Sequence, residues 1–217
     1  MKRTLLVVAV AILACAPFVA AQTTGTISLS GNIPEAYSLT NSGGTQIVGA
    51  TVALGALIPA NNQTLVTNET VVGYLRSNHK YKLTAQVASL TRGTGIDDGG
   101  LAIQLSDIGF GIRGLVSNGA QVVNQATHIV VTKFDYVSSG WPAPSGGLTP
   151  FVVGTHGTLN DITSDIQILG GQRISNKGNI TTSDNAVQLT FGFAVLPQYF
   201  SPDTGFSTTI TLTIATN

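Results

Sequence analysis

Val187-Gln188-Leu189-Thr190-Phe191-Gly192-Phe193-Ala194-Val195 is the stretch on which the fold class turns. Val187, Leu189, Phe191, Phe193 and Val195 are large and apolar, and the residues between them are small or polar. In an extended chain successive side chains point to opposite faces, so a period of two builds one apolar face. A helix would scatter the same residues around its circumference. The same alternation recurs on either side. Ile210, Leu212 and Ile214 are interleaved with Thr209, Thr211 and Thr213 near the end of the chain. Tyr81, Leu83, Ala85 and Val87 alternate upstream, as do Ile27, Leu29, Gly31 and Ile33 with Thr26, Ser28, Ser30 and Asn32.

Shorter apolar pieces fill the space between. Tyr37 with Leu39, residues 47–57, 71–75 and 110–116, the alternating Leu101, Ile103 and Leu105, residues 121–131, and 166–169 all read as strands. Turn signals separate them: Pro34, Asn61-Asn62, Ser77-Asn78, Asp98-Gly99, Asn118-Gly119 and the Pro197–Gly205 stretch. Residues 136–150, rich in Gly, Pro and Ser, read as a long loop. Strands recurring this often, with no helical period, predict an all-β antiparallel sandwich or barrel. One domain over residues 34–217 follows an N-terminal strand at 22–33.

Composition agrees. The 217 residues include 25 Gly and 28 Thr, and 43% are hydrophobic. Only 9% are charged, with 10 basic and 10 acidic side chains. Nucleic acid is excluded as an expected partner, because no basic surplus exists to displace counterions. Scarce Lys, Glu, Arg and Met argue against long helices.

The first residues read as an address. Met1-Lys2-Arg3 is basic, residues 5–16 are uncharged and mostly apolar, and Val19-Ala20-Ala21 supplies small residues for cleavage before Gln22. The apolar run is shorter than the about 20 residues of a membrane helix. A signal peptide over 1–21 and a secreted chain are expected. The competing motif is Ile12-Leu13-Ala14-Cys15, which resembles a lipoprotein box with lipid on Cys15. Cleavage before Gln22 removes the single cysteine, so the core must hold without disulfides.

Chemistry-bearing residues are few. His79, His128 and His156 have no second His or Cys at ligand spacing, so no metal is expected. Asp97-Asp98 and Asn160-Asp161 read as turn formers, and no catalytic motif or cofactor fingerprint occurs. No enzyme activity is expected. Trp141, with Tyr136 five residues earlier, is the one aromatic pair on a loop, where flat rings can stack on sugars or pin their own loop.

The two ends of the chain carry a resemblance. Residues 24–33, Thr-Gly-Thr-Ile-Ser-Leu-Ser-Gly-Asn-Ile, resemble the N-terminal extension and first strand of chaperone–usher pilins and their spore coat U-like branch. Residues 187–195 are similar to the penultimate strand of that superfamily. Residues 202–214, Pro-Asp-Thr-Gly-Phe-Ser-Thr-Thr-Ile-Thr-Leu-Thr-Ile, are similar to its closing turn and last strand. The chain departs from the pattern in lacking the disulfide near the first strand. The resemblance implies an immunoglobulin-like sandwich completed by a donor strand from a neighbour. It implies a homopolymer of the chain, served by a periplasmic chaperone and an outer-membrane assembly platform. Ile27, Leu29, Gly31 and Ile33 would be the assembly residues, Gly31 permitting close approach in a groove. The alternative for the same residues is the first strand of the protein's own sheet. The alternative for the whole protein is a secreted binding module or adhesin that reads carbohydrate or a host surface through Trp141 and Tyr136.

Overall fold

The computed structural model describes residues 28–32, 34–47, 49–52, 65–66, 71–92, 103–118, 128–136, 155–174, 186–196 and 205–217. The chain divides into two units, Met1–Pro34 and Glu35–Asn217. The second unit is an all-β sandwich in which every strand pairing is antiparallel.

The first sheet is built on the alternating stretch quoted above. Its strands are β1 (Tyr37–Thr40), β2 (Leu65–Val66), β3 (Val71–Ser77), β6 (Ile108–Asn118) and β9 (Ala186–Val195). One edge of β9 takes β3 and, further along, β2; the other edge takes β6; β1 closes the sheet beyond β3. The second sheet runs β11 (Ile210–Thr216), β4 (Tyr81–Val87), β8 (Ile166–Gly171), β7 (Ile129–Val130). Two short strands, β5 (Thr91–Arg92) and β10 (Phe206–Ser207), carry the β4–β11 ladder onward. Residues 88–90 face 208–209 at the junction, one residue more on one side than on the other, which is a bulge.

The predicted apolar faces meet inside. Leu75, Leu83, Ile108, Ile112, Leu169 and Leu189 are buried in one cluster that both sheets share. Phe110 lies parallel to Phe191 with ring centroids 6.1 Å apart and meets Phe134 edge-on at 6.4 Å. Such ring pairs add about 0.5–1.5 kcal/mol each beyond the area they bury. A register shift in the β4–β8 ladder at Leu83/Thr84 accompanies consecutive burial of Ile168 and Leu169, where strict alternation would turn one outward.

The free edge of the first half of β6 is covered by its own chain. The Phe110 amide donates to the Gly157 carbonyl at 3.0 Å, and the Tyr136 amide donates to Ile112 at 3.0 Å. A short 3-10 turn at Thr132–Phe134 brings Phe134 into the core, and another at Leu159–Ile162 buries Leu159 and Ile162.

Several expectations are corrected. The alternating Leu101, Ile103 and Leu105 do not make a strand at their described end. Leu105–Asp107 is a 3-10 turn, held where the Asp107 carboxylate accepts from the Gln104 amide at 2.8 Å. A carboxylate that can satisfy the backbone locally competes with a ladder. Of residues 121–131, only 128–131 are described, and only Ile129–Val130 pair. Asn118 ends β6, whose partner is the distant β9, and no pairing of β6 with β7 occurs among the described residues. Residues 28–32 fall in no strand. Asn61-Asn62, Asp98-Gly99 and residues 137–150 lie outside the described residues.

Candidate functional site: the open edge of the last strand

Strand β11 reads Ile-Thr-Leu-Thr-Ile-Ala-Thr, uncharged and without Pro or Gly. It pairs with β4 along its whole length, Ile210 opposite Val87 and Thr216 opposite Tyr81. Among the described residues nothing pairs with its other edge. The parity of the ladder assigns the free groups. The Ala88 amide donates to Thr209 at 2.8 Å and the Asn217 amide donates to Lys80 at 3.3 Å, so odd-numbered residues turn their backbone toward β4. In an antiparallel strand both polar groups of one residue face the same side. The backbone groups of Ile210, Leu212, Ile214 and Thr216 therefore face the open edge.

The side chains of that row are also incompletely covered. Ile210, Leu212 and Ile214 pack against the core cluster yet are only partly buried, whereas Leu83 and Ala85 on the neighbouring strand are fully buried. Thr211 and Thr213 are exposed on the opposite face. Open edges usually carry a charge, a proline or a bulge that discourages pairing, and β11 has none within its seven residues. An uncharged, β-branched edge of this length is a template for another strand.

The start of β1 and the end of β11 meet at one place, the turn between β3 and β4. Asn78 accepts from the Ala36 amide through its side-chain oxygen at 2.7 Å and donates its own amide to the Ala36 carbonyl at 3.0 Å. Ser77 closes the turn by donating its hydroxyl to the His79 carbonyl at 2.6 Å. Glu35 lies 3.5 Å from the His79 ring, and the last residue, Asn217, bonds Lys80 in the same turn. The start of β1 and the end of β11 thus flank one turn, and β1 lies against β11. The sequence signals the turn through Ser77-Asn78, but not that the start of β1 and the end of β11 converge on it.

The assembly residues expected from the sequence belong to the first unit. Leu29 is 93% exposed, and a Cβ built at Gly31 has nothing within 4 Å among the described residues. Ile27 and Ile33 lie outside the described residues. Trp141 lies outside them as well.

Tyr136 does not present its ring to a ligand, as the binding-module alternative requires. It is buried, its hydroxyl donates to the Gly157 carbonyl, and its ring fills the space over Gly111 where a side chain would stand. Burial pushes its hydroxyl well above the ordinary tyrosine range. No ring face is left for a sugar, so Tyr136 acts as a packing residue.

Asp161 serves the turn that the sequence assigned to it. Its carboxylate accepts from the Thr158 amide at 2.8 Å, the Thr158 hydroxyl at 2.9 Å and the Lys133 ammonium at 2.6 Å. Burial pushes its pKa up, but the bonds from Lys133 and Thr158 outweigh that and hold it below the usual carboxylate range. His156 packs its ring against Tyr136, and His128 bonds Tyr81. Among the described residues no three potential ligands cluster to hold a metal. Compared with models of known protein families and with curated proteins, the chain matches none.

Proposed function

We propose that the protein is a structural subunit of an extracellular filament or surface coat, and that it assembles by strand exchange. Residues 22–33 of one copy pair with the open edge of β11 in the next. The observation that carries this reading is the uncharged, half-covered β11, one edge of which has no partner strand among the described residues. The segment expected to fill it has the same period of two, and Leu29 in it is exposed.

Strand direction favours a neighbour over self-pairing. Strand β11 runs toward the turn at residues 77–80, and β1 starts from that turn and runs away from it. Residues 22–33 lying on their own β11 would also run toward the turn. They would pair in parallel and then have to reverse within Pro34–Ala36. On a neighbour's β11 the same segment is free to run antiparallel, which bonds slightly better per residue. Ile27, Leu29 and Ile33 would complete the row begun by Ile210, Leu212 and Ile214. Each large aliphatic side chain so buried contributes roughly 1.5–3 kcal/mol.

The experiment is sedimentation and electron microscopy of wild type, Leu29→Asp and a deletion of residues 22–33. Wild type is expected to give polymers. Leu29→Asp puts a charge where an apolar side chain should be buried, which is costly without a partner, and is expected to give monomers. Normal filaments from either variant would sink the proposal.

A further inference from the structure

The opposite edge of the second sheet ends in β7, only two residues long, and a histidine stands at its start. His128 is buried, with its Nδ1 3.0 Å from the Tyr81 hydroxyl on β4. The strand between them is β8, where Gly171 pairs with Tyr81 and Gly170 pairs with Ile129. A glycine in the middle of the row lets the Tyr81 hydroxyl reach across β8 to the ring. The other ring nitrogen, Nε2, is buried and has no hydrogen-bond partner. We propose that His128 is an acid-released latch, holding β7 on β8 while its ring is neutral and letting it go when the ring is protonated.

A neutral imidazole has one donor and one acceptor nitrogen, and Tyr81 satisfies Nδ1 in either role. A protonated ring has two donors, and the second would point from Nε2 into a buried place with no acceptor. A buried charge without a partner is costly. Among the described residues no ion pair includes His128. Strand β8 carries no ionisable side chain, and neither do residues 114–127 leading into β7. On β4 the next ionisable residue, Lys82, alternates to the face opposite Tyr81. Lys133, just past β7, is paired with Asp161, while Asp165 and Arg173 flank β8 and are exposed. Tyr81 stays a neutral hydroxyl, since burial raises its pKa. Burial likewise lowers that of His128.

Apart from Val130, which packs against the core cluster, few groups hold the strand. The pairing of Ile129 and Val130, and the Val131 amide donating to Ile168 at 2.9 Å, are its described backbone ties, and Ile129 is 70% exposed. Release would open the edge of β8 at Ile168–Gly170 and give the subunit a second unpaired edge, independent of strand exchange at β11.

The test is amide hydrogen exchange on the full secreted chain at pH 7.5 and pH 5, corrected for intrinsic rates, beside His128→Gln, whose amide can keep the Tyr81 bond without titrating. In wild type the amides of residues 129–131 are expected to lose protection at pH 5, by up to roughly 30-fold, the limit set by a released ring of ordinary histidine pKa near 6.5 at that pH. Residues 187–195 should stay protected, and His128→Gln should show no pH-dependent loss. Unchanged protection of 129–131 in wild type, or equal loss in the variant, overturns the latch. If His128→Gln does not fold, the wild-type ring titration followed by NMR decides. Amide shifts of Val130 and Val131 that track the His128 ring support the proposal, and amide shifts that do not track it refute it.

Discussion

Gly111 shows how one missing side chain directs a neighbouring loop. A Cβ there would run into the Tyr136 ring and come within 2.8 Å of the Phe134 carbonyl oxygen. Both are fixed, the ring by its bond to Gly157 and the carbonyl by the turn that buries Phe134. Gly111→Ala would gain about 0.4–1 kcal/mol from a less disordered unfolded chain. The clash opposes this with about 1–3 kcal/mol and should win. Urea denaturation should show net destabilisation for Gly111→Ala and no loss for Gly205→Ala, where a Cβ has open space. Asp161 gives a second prediction at this scale. Its pKa is lowered in the fold, so it stabilises above the ordinary Asp value near 3.8, and that contribution fades as pH falls through the lower folded value. Thr158→Ala removes one of the carboxylate's donors and should cost about 0.5–2 kcal/mol at pH 7. The cost should shrink below pH 4 in a pH series of denaturation curves.

At the scale of the strand, burial separates two leucines of similar sequence context. Leu83 on β4 is fully buried, and Leu212 two places from the start of β11 is half-covered. Leu83→Ala should cost about 2–5 kcal/mol in unfolding free energy. Leu212→Ala should cost clearly less in the monomer, because water already reaches part of the side chain. Under the proposed strand exchange the order should reverse for assembly, and sedimentation should show Leu212→Ala weakening any polymers more than its stability loss explains. β4, β9 and β11 are legible in the sequence because each turns one face to the core, and burial on one face writes a period of two, whereas β3, β6 and β8 show only as short apolar runs bounded by turn signals. Strands of two residues, β2, β5, β7 and β10, are too short to write a period at all. Leu105 failed as a strand residue because the alternation around it is overruled by Asp107 bonding the backbone of Gln104. The burial of Tyr136 is hidden from the sequence for a different reason. What buries it is Gly111 on another strand, and no local pattern reports a cavity made by a residue so far along the chain. The open edge of β11 was equally hidden, since alternation gives the face of a strand but not its neighbours.

The meeting of the start of β1 with the end of β11 at residues 77–80 makes a prediction at the scale of the whole sandwich. A strand appended after Asn217 would start beside the end of β11 and, through a tight turn, run back along its open edge. An Asn-Gly pair supplies that turn, because its backbone twist matches the flanking strands. We therefore expect a chain that lacks residues 22–33 at its front, but carries the same residues after an appended Asn-Gly, to fill its own edge. The pairing would be antiparallel, and the apolar row of Ile210, Leu212 and Ile214 would be covered from within the same molecule. Intramolecular attachment raises the effective concentration of the segment to the millimolar range, above that of neighbouring subunits in dilute solution. This rearranged chain should sediment as a monomer, unfold at higher temperature than the simple deletion, and fail to join wild-type filaments. Leu29→Asp placed in the appended copy should remove the thermal gain. If the appended segment brings no gain in melting temperature and the protein still polymerises, β11 is not the accepting edge and strand exchange must be abandoned as the means of assembly.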